Sequence, residues 1–206
     1  MWRANNRQQR FVAPLFTVLA RRDFLIVGDM PQFVPMPCDL ETERLRLRQL
    51  REDDSQTVRE LWLERDPRVP RRIDRFGRPS IEDIQERIAA QLAESTRSGL
   101  SLLAIEEKSN PGLLGYCGLT VGAGSDTEPE IAFELFRTHQ GCGFATEAAS
   151  SVVDAAQATG RSRLWATVRE WNVASFKVLA KLDFADSGRR TEDSVHGNTF
   201  WMLRDL

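Results

Sequence analysis

The stretch from 128 to 147 constrains the fold of this chain more than any other. Its residues Ile131 to Phe136 form an apolar, strand-like run, which leads through a tight loop built on Gly141 and Gly143 to a helix that begins at Phe144. The first amides of a helix lack internal acceptors and carry the positive end of the helix dipole. Glycine, which has no Cβ, lets a ligand approach the backbone closely. The order of strand, glycine loop and helix N-terminus therefore predicts an anion site that holds a phosphate-bearing cofactor.

Length, charge and cysteine usage limit the classes of protein to which the chain can belong. Its 206 residues make one domain, or one domain with an appendage. A formal net charge of −2 argues against nucleic acid as a partner, and no apolar run is long enough to span a membrane. Cys38, Cys117 and Cys142 show neither a metal-ligand pattern nor a disulfide framework. We therefore expect no metal and a reducing, cytoplasmic setting.

Residues 1–38 differ in composition from the rest of the chain. Through Arg22 they hold five arginines and no acid. They fit an organelle-type leader, a basic surface arm, or sequence that lies upstream of a later start, and Met36 stands just ahead of the organised pattern. We predict a basic, proline-containing N-terminal extension over 1–38, with disorder as one option, and a folded domain over 39–206.

The pattern after the extension alternates strands and helices. From Arg44 to Leu50 apolar and polar residues alternate, as in a half-exposed strand. Ser80 and Asp83 form a capping-box-like pair ahead of an apolar helix face. Two apolar runs around a turn at 109–112 predict an antiparallel hairpin. The predicted order, β-α-α-β-β-β-α-β-α-β-β, indicates an α/β (α+β) fold in which helices cover a mixed sheet.

Two common phosphate-binding motifs do not fit the glycine loop. The dinucleotide fingerprint needs a glycine or alanine where this chain has Thr146, and it normally begins a βαβ unit. A P-loop needs Gly-Lys-Ser/Thr after the loop, which is missing here.

The loop instead resembles the pyrophosphate signature Q/R-x-x-G-x-G/A of the GNAT acyl-CoA-dependent N-acetyltransferases, over Gln140 to Ala145. The resemblance extends over residues 39–205 and points to the branch of ribosomal-protein N-terminal acetyltransferases. The segments that carry it are L-E-T-E-R-L-R-L-R, E-I-A-F-E-L, G-C-G-F-A-T-E-A and N-V-A-S-F-K-V-L-A-K-L-D-F. It implies a GNAT-like, mostly antiparallel twisted sheet flanked by helices.

The resemblance also implies acetyl-CoA as co-substrate and a set of residues that hold it. Backbone amides of the glycine loop would bind the pyrophosphate, the strand before the loop would pair with the pantetheine arm, and Asn172 would hydrogen-bond that arm. Lys177 would lie near the adenosine phosphate, unless it is only a solvated helix charge. The implied cofactor-binding residues are Phe133, Glu134, Leu135, Gln140, Gly141, Cys142, Gly143, Phe144, Ala145, Asn172 and Lys177.

Acetyl transfer to an amine needs a base for the amine and a proton for the departing thiolate. Strand alternation places Glu130 and Glu134 on one face, and we expect Glu130 to be the base, with Glu134 second. Either carboxylate could instead be an exposed acidic side chain on the strand or a salt-bridge partner. Many GNAT enzymes use a tyrosine as general acid at the position where this chain has Leu179. The resemblance therefore suggests Ser175 as the acid. A serine hydroxyl at the start of a helix also needs no catalytic explanation.

We interpret Cys142 as a tolerated side chain and expect direct attack on the thioester, because nothing around this cysteine supports a nucleophile. Asp183 replaces the family's glycine at a position that needs a left-handed C-cap.

The expected function is an N-acetyltransferase that acts on a protein N-terminal α-amine or a small-molecule amine. The alternative is a non-catalytic acyl-CoA-binding sensor or interaction module, and a homodimer is left open.

Overall fold

The computed structural model describes residues 33–69 and 79–206. Most of the predicted N-terminal extension, residues 1–32, lies outside the described residues. The described part of the chain is already organised before residue 39. The Met36 side chain is buried in the core, and its N–H donates to the Gly99 carbonyl at 2.8 Å.

The described ranges contain both strands and helices. The strands are β1 (Asp39–Glu41), β2 (Leu45–Gln49), β3 (Leu102–Glu107), β4 (Asn110–Thr120), β5 (Glu130–Leu135), β6 (Arg163–Arg169), β7 (Ala185–Thr191) and β8 (Thr199–Asp205). The α-helices are α1 (Ser55–Leu63), α2 (Ile81–Ser98), α3 (Phe144–Ala158) and α4 (Val173–Lys181).

The strands form one mixed sheet with the order β1-β2-β3-β4-β5-β6-β8-β7. Within the described part of the chain, every neighbouring pair runs antiparallel except β5 and β6. This parallel pair is joined by the crossover helix α3, because a hairpin cannot connect parallel strands. The prediction of a mixed, mostly antiparallel sheet flanked by helices is confirmed.

Alternation along the strands builds an apolar layer on each face of the sheet. Leu103 and Ile105 are fully buried in the larger layer, which contains the apolar faces of α3 and α4. Between them in β3, Ala104 packs on the other face against Ile84 and Ile88 of α2. The same alternation turns the acidic residues of β5 toward the face that α1 and α2 cover.

The predicted start of α2 is confirmed by its capping geometry. Ser80 is the N-cap, and its hydroxyl accepts from the Asp83 N–H at 3.0 Å. The Asp83 carboxylate in turn accepts from the Ser80 N–H at 3.1 Å, which completes the capping box.

The predicted turn of the hairpin is wrong in its position. Pairing between β3 and β4 continues to Glu107 opposite Asn110, so the chain reverses at 108–109. Pro111 and Gly112 lie inside β4, where the register shifts between Glu106 and Glu107. A bulge accommodates proline because its missing N–H is not needed there.

The expected left-handed residue after α4 is observed at Asp183, which has φ 58°. Its N–H donates to the Ala180 carbonyl at 3.3 Å, and the Phe184 N–H donates to the Leu179 carbonyl at 3.0 Å. This is the Schellman pattern, which usually has glycine at the position of Asp183.

Candidate active site

A gap opens in the sheet where β5 and β6 diverge. In the described part of the chain the two strands share one registered pair, Glu130 with Trp165. The Trp165 N–H donates to the Pro129 carbonyl at 2.9 Å, but two residues later the Thr167 N–H donates to the Glu130 side chain. The strands therefore separate directly after Glu130, and the gap lies beside the rest of β5.

The backbone of β5 faces this gap. The Phe136 N–H donates to the Leu114 carbonyl, on the β4 side, at 3.0 Å. Successive residues direct their backbone groups to opposite sides of a strand, so the N–H and C=O of Phe133 point toward β6. The carbonyl of Leu135 accepts from Gln140 Nε2 at 3.0 Å. The edge at Phe133 is thus open to an extended ligand that adds in the manner of a strand.

The glycine loop between β5 and α3 depends on left-handed backbone at two positions. Gly141 has φ 80° and Gly143, the N-cap of α3, has φ 85°. The first intrahelical bond runs from the Glu147 N–H to the Gly143 carbonyl at 3.0 Å. The amides of the first turn precede that bond, so they can donate to an anion that binds at the helix N-terminus.

The gap and the loop open into one cleft of about 830 Å³. Its wall contains most of the residues predicted from the sequence: Phe133, Glu134, Leu135, Gln140, Gly141, Gly143, Phe144, Ala145, Asn172, Ser175 and Lys177. Among the described residues that we predicted, Glu130 and Cys142 do not line it.

The Glu130 carboxylate lies at the point where β5 and β6 separate. Its Oε1 accepts from the Thr167 N–H at 3.0 Å and from the Thr167 hydroxyl, and its Oε2 accepts from the Ala123 N–H at 2.8 Å. Gly122 has φ 47°, and a Cβ there would lie 2.3 Å from Oε2, so a larger residue would displace the carboxylate. Glu130 thus takes the place of a backbone acceptor in the ladder and links the loop after β4 to β6.

Glu134 faces the cleft within a polar cluster. Arg65 donates through Nε to Glu134 Oε1 at 2.7 Å, and through Nη2 to Glu134 Oε2 and to the Tyr116 hydroxyl. Tyr116, the cross-strand partner of Glu134, also donates to Oε2. Burial and the charge of Glu134 raise the pKa of Tyr116 well above its usual value, so the phenol stays a donor.

Sequence reasoning missed Arg65 as a member of this cluster. The residue follows α1, and its guanidinium lies 4.1 Å from the centroid of the Trp62 ring. Its partners are distant in sequence and are brought to it only by the packing of α1 on the sheet. The three-residue spacing of Trp62 and Arg65 is an ordinary pattern at the end of a surface helix, so no local signal marked Arg65.

Helix α4 presents polar residues to the cleft. Asn172 is its N-cap, and Oδ1 accepts from the Ser175 N–H at 3.2 Å. Because Asn172 caps the helix, the Ser175 hydroxyl is not needed for that purpose. Lys177 and Lys181 also line the cleft, whereas Leu179 is fully buried in the core. The place of the usual tyrosine is therefore apolar.

Two further properties of the described residues bear on the predicted partners. Among residues 33–69 and 79–206, no group of three or more His, Cys, Asp or Glu side chains is placed to hold a metal ion. Over the same ranges, no helix has the length and apolar character that crossing a membrane requires.

Comparison with known protein families agrees with this geometry. Residues 44–185 match the family model described as acetyltransferase (GNAT) domain. The uncharacterized N-acetyltransferase YoaA of Bacillus subtilis (strain 168) is 32% identical over 155 residues, which are 72% of this chain and 84% of that protein.

Solved structures of similar fold include two acetyltransferases. The ribosomal-protein-S5-alanine acetyltransferase of Vibrio fischeri has a TM-score of 0.66 at 18% identity, covering 81% of this chain and 96% of that one. RimJ of Mycobacterium smegmatis, in complex with CoA-disulfide, has a TM-score of 0.65 at 20% identity, covering 85% and 88%. At these identities the likeness concerns the fold.

Proposed function

The chain belongs to the GNAT acetyltransferase family, and on that premise we propose that it moves the acetyl group of acetyl-CoA to a protein N-terminal α-amine by direct attack. The observation that carries the proposal is the shared cleft. The open edge of β5 at Phe133 and the first amides of α3 line one continuous space that is large enough for an extended, phosphate-bearing ligand.

The residues around the cleft fit acetyl-CoA, which supplies an activated acetyl thioester. The amides from Gly141 to Ala145 would hold the pyrophosphate, since two left-handed glycines and a helix N-terminus meet there. The Phe133 backbone would pair with the pantetheine arm. The side-chain oxygen of Asn172 caps α4, so its side-chain nitrogen would donate to the same arm. Lys177 and Lys181 add positive charge to the same wall, for the adenosine phosphate.

For the proton acceptor we favour Glu134 over Glu130. The Glu130 carboxylate is engaged from both sides by backbone and hydroxyl donors, and it does not line the cleft. Glu134 lines the cleft, and among the described residues its Oε1 accepts one hydrogen bond, from Arg65. A lone pair therefore remains for the incoming amine or for a water that relays its proton. The Ser175 hydroxyl is the donor that we assign to the departing thiolate.

Charge balance in the cleft favours a singly charged acceptor over a polyamine or an aminoglycoside. Within the described residues, the carboxylates that line the cleft belong to Glu64, Asp66 and Glu134. Two of them are paired with guanidinium groups: Asp66 with Arg68 at 2.8 Å, and Glu134 with Arg65. Glu64 accepts from the backbone N–H of Arg137 at 2.8 Å. A polycation would require several acids that are not already compensated, and two of these three are paired with arginine side chains.

An α-amine also suits a site in which two of the three carboxylates already have arginine side-chain partners. The pKa of an α-amino group is about 7.7–8.0, so about a tenth of such groups are already neutral at pH 7. Fewer than about one in a thousand lysine side chains are neutral at that pH. The similar structure from Vibrio fischeri is described as acting on an alanine of ribosomal protein S5. This supports a protein N-terminus as acceptor for the present chain.

The acceptor is tested by incubating the protein with acetyl-CoA and two panels. One holds peptides with the free N-termini of ribosomal proteins, each with an N-terminally blocked control, and the other holds polyamines and aminoglycosides. We expect thiol release and a mass gain of one acetyl group with free peptides only. Transfer to small amines alone would refute the choice of acceptor. Binding of acetyl-CoA without transfer to any amine would favour the non-catalytic sensor.

A further inference from the structure

One arginine outside the cleft wall contacts both the glycine loop and the helix that follows it. Arg44, which precedes β2, donates through Nη1 to the Cys142 carbonyl at 3.1 Å and through Nε to Glu147 Oε2 at 2.7 Å. Its guanidinium also lies 4.5 Å from the centroid of the Phe144 ring. A single side chain thus fixes three neighbouring points of the loop and the first helical turn.

Glu147 keeps Arg44 in this position. Its Oε1 accepts from the Thr42 hydroxyl at 2.6 Å and from the Arg44 backbone N–H at 2.9 Å. Burial raises the pKa of Glu147, but the hydrogen bonds from Thr42 and Arg44 outweigh it and hold that pKa below its usual value. As an acid in the first turn of α3, Glu147 complements the helix dipole, and it also bridges α3 to the turn between β1 and β2.

The contact with Cys142 decides how the next amide is oriented. In a trans peptide the C=O and the following N–H point in opposite directions, and the described residues contain no cis peptide. Since the Cys142 carbonyl points at Arg44, the Gly143 N–H points away from Arg44. A Cβ on Gly143 would lie 3.4 Å from Arg44 Nη2, so the guanidinium packs directly against the loop.

We propose that Arg44 is a positioning residue for the cofactor: it holds the 142–143 peptide so that the Gly143 N–H is presented to the pyrophosphate of acyl-CoA. Arg44 acts through the backbone and does not line the cleft. Its charge is matched by Glu147 at 2.6 Å, so orientation, and not net charge, is the contribution. The inference rests on the proposed site for acetyl-CoA.

The test compares two acyl donors on three variants. Acetyl-CoA carries the pyrophosphate, whereas S-acetylpantetheine ends before it, and CoA binding is measured by titration calorimetry on the same proteins. The variants are Arg44→Met and Arg44→Lys, with Arg163→Met as the matched control, because Arg163 forms a similar exposed ion pair with Asp205. Melting temperatures are recorded for every variant.

For both Arg44 variants we expect the Kd for CoA and the KM for acetyl-CoA to rise about tenfold, the size expected for one lost hydrogen bond to a charged group. The kcat and the use of S-acetylpantetheine should stay within about twofold of the wild type. Arg44→Lys should not restore CoA binding, because an ammonium lacks the planar fork that reaches the Cys142 carbonyl and the Glu147 carboxylate together. Arg163→Met should change neither the Kd for CoA nor the KM for either acyl donor.

Three results would overturn the inference. Equal losses with both donors would indicate a general structural role, unchanged CoA binding would show that the loop does not need Arg44, and full rescue by lysine would show that charge suffices. A wild-type protein that binds no CoA would refute the proposed function, and this inference with it.

Discussion

Replacing Glu130 by glutamine separates the two roles that this residue could have. In the structure the carboxylate accepts hydrogen bonds from the Thr167 N–H, the Thr167 hydroxyl and the Ala123 N–H. A glutamine keeps one acceptor oxygen and replaces the other with an NH₂ group, which cannot accept. Whichever way the amide lies, one backbone N–H, that of Ala123 or that of Thr167, is then left facing another donor.

The cost follows from that one lost acceptor. Leaving a partly buried donor unsatisfied destabilises a protein by about 1–3 kcal/mol. For a domain of this size each kcal/mol lowers the Tm by about 2–4 °C, so about 2 kcal/mol corresponds to a drop of about 4–8 °C. Because Glu130 does not line the cleft, the kcat of Glu130→Gln at 25 °C should remain within about threefold of the wild type.

Glu134→Gln is the matched comparison, since it is the same change on the same face of β5, at the other end of the strand. If Glu134 accepts the amine proton, kcat should fall on the order of 100-fold or more while the KM for acetyl-CoA is retained. Thermal unfolding and steady-state kinetics on both variants provide the measurement. A Glu130→Gln protein with wild-type Tm and a 100-fold loss of kcat, beside an active Glu134→Gln protein, would refute this assignment.

Three further changes test the fold around the site. Gly143→Ala and Gly188→Ala both place alanine at positive φ, 85° and 77°, and each should cost about 1–2 kcal/mol of unfolding free energy, but only Gly143→Ala should weaken CoA binding in calorimetry. Asp183→Gly should raise the Tm by about 1–3 °C in a thermal melt, because glycine relieves the left-handed strain at φ 58°; an unchanged or lower Tm would contradict this. Burial raises the pKa of Asp54, but hydrogen bonds from Arg48 outweigh it and lower that pKa below 3.8. The stability that Asp54→Asn removes is therefore present above about pH 4 and lost as pH falls. Urea titrations should show the unfolding free energies of wild type and Asp54→Asn converging below that pH. A difference that stays constant with pH would refute the assignment.

Local chemistry made part of this molecule predictable from its sequence. The Ser80 and Asp83 capping box and the left-handed position of Asp183 depend on neighbours within a few residues, and both predictions are confirmed. The glycine loop belongs to the same group, since Gly141 and Gly143 have the positive φ that such a loop needs.

Features that depend on pairing between distant strands could not be predicted. Alternation placed Glu130 and Glu134 on one face, but it could not show that β5 and β6 separate directly after Glu130. That separation decides which carboxylate caps the ladder and which one faces the cleft. The cluster of Arg65, Tyr116 and Glu134 likewise requires the β4–β5 register and the packing of α1.

The proposed reaction transfers the acetyl group directly from acetyl-CoA to an amine within this cleft. The most direct test counts released thiol and N-acetyl product in one rapid-quench experiment, with and without an acceptor peptide. Direct attack predicts no thiol release without the amine, and equal amounts of thiol and acetylated peptide with it. A burst of thiol equal to the protein concentration in the absence of amine, as an acetyl-Cys142 enzyme would give, would contradict direct attack.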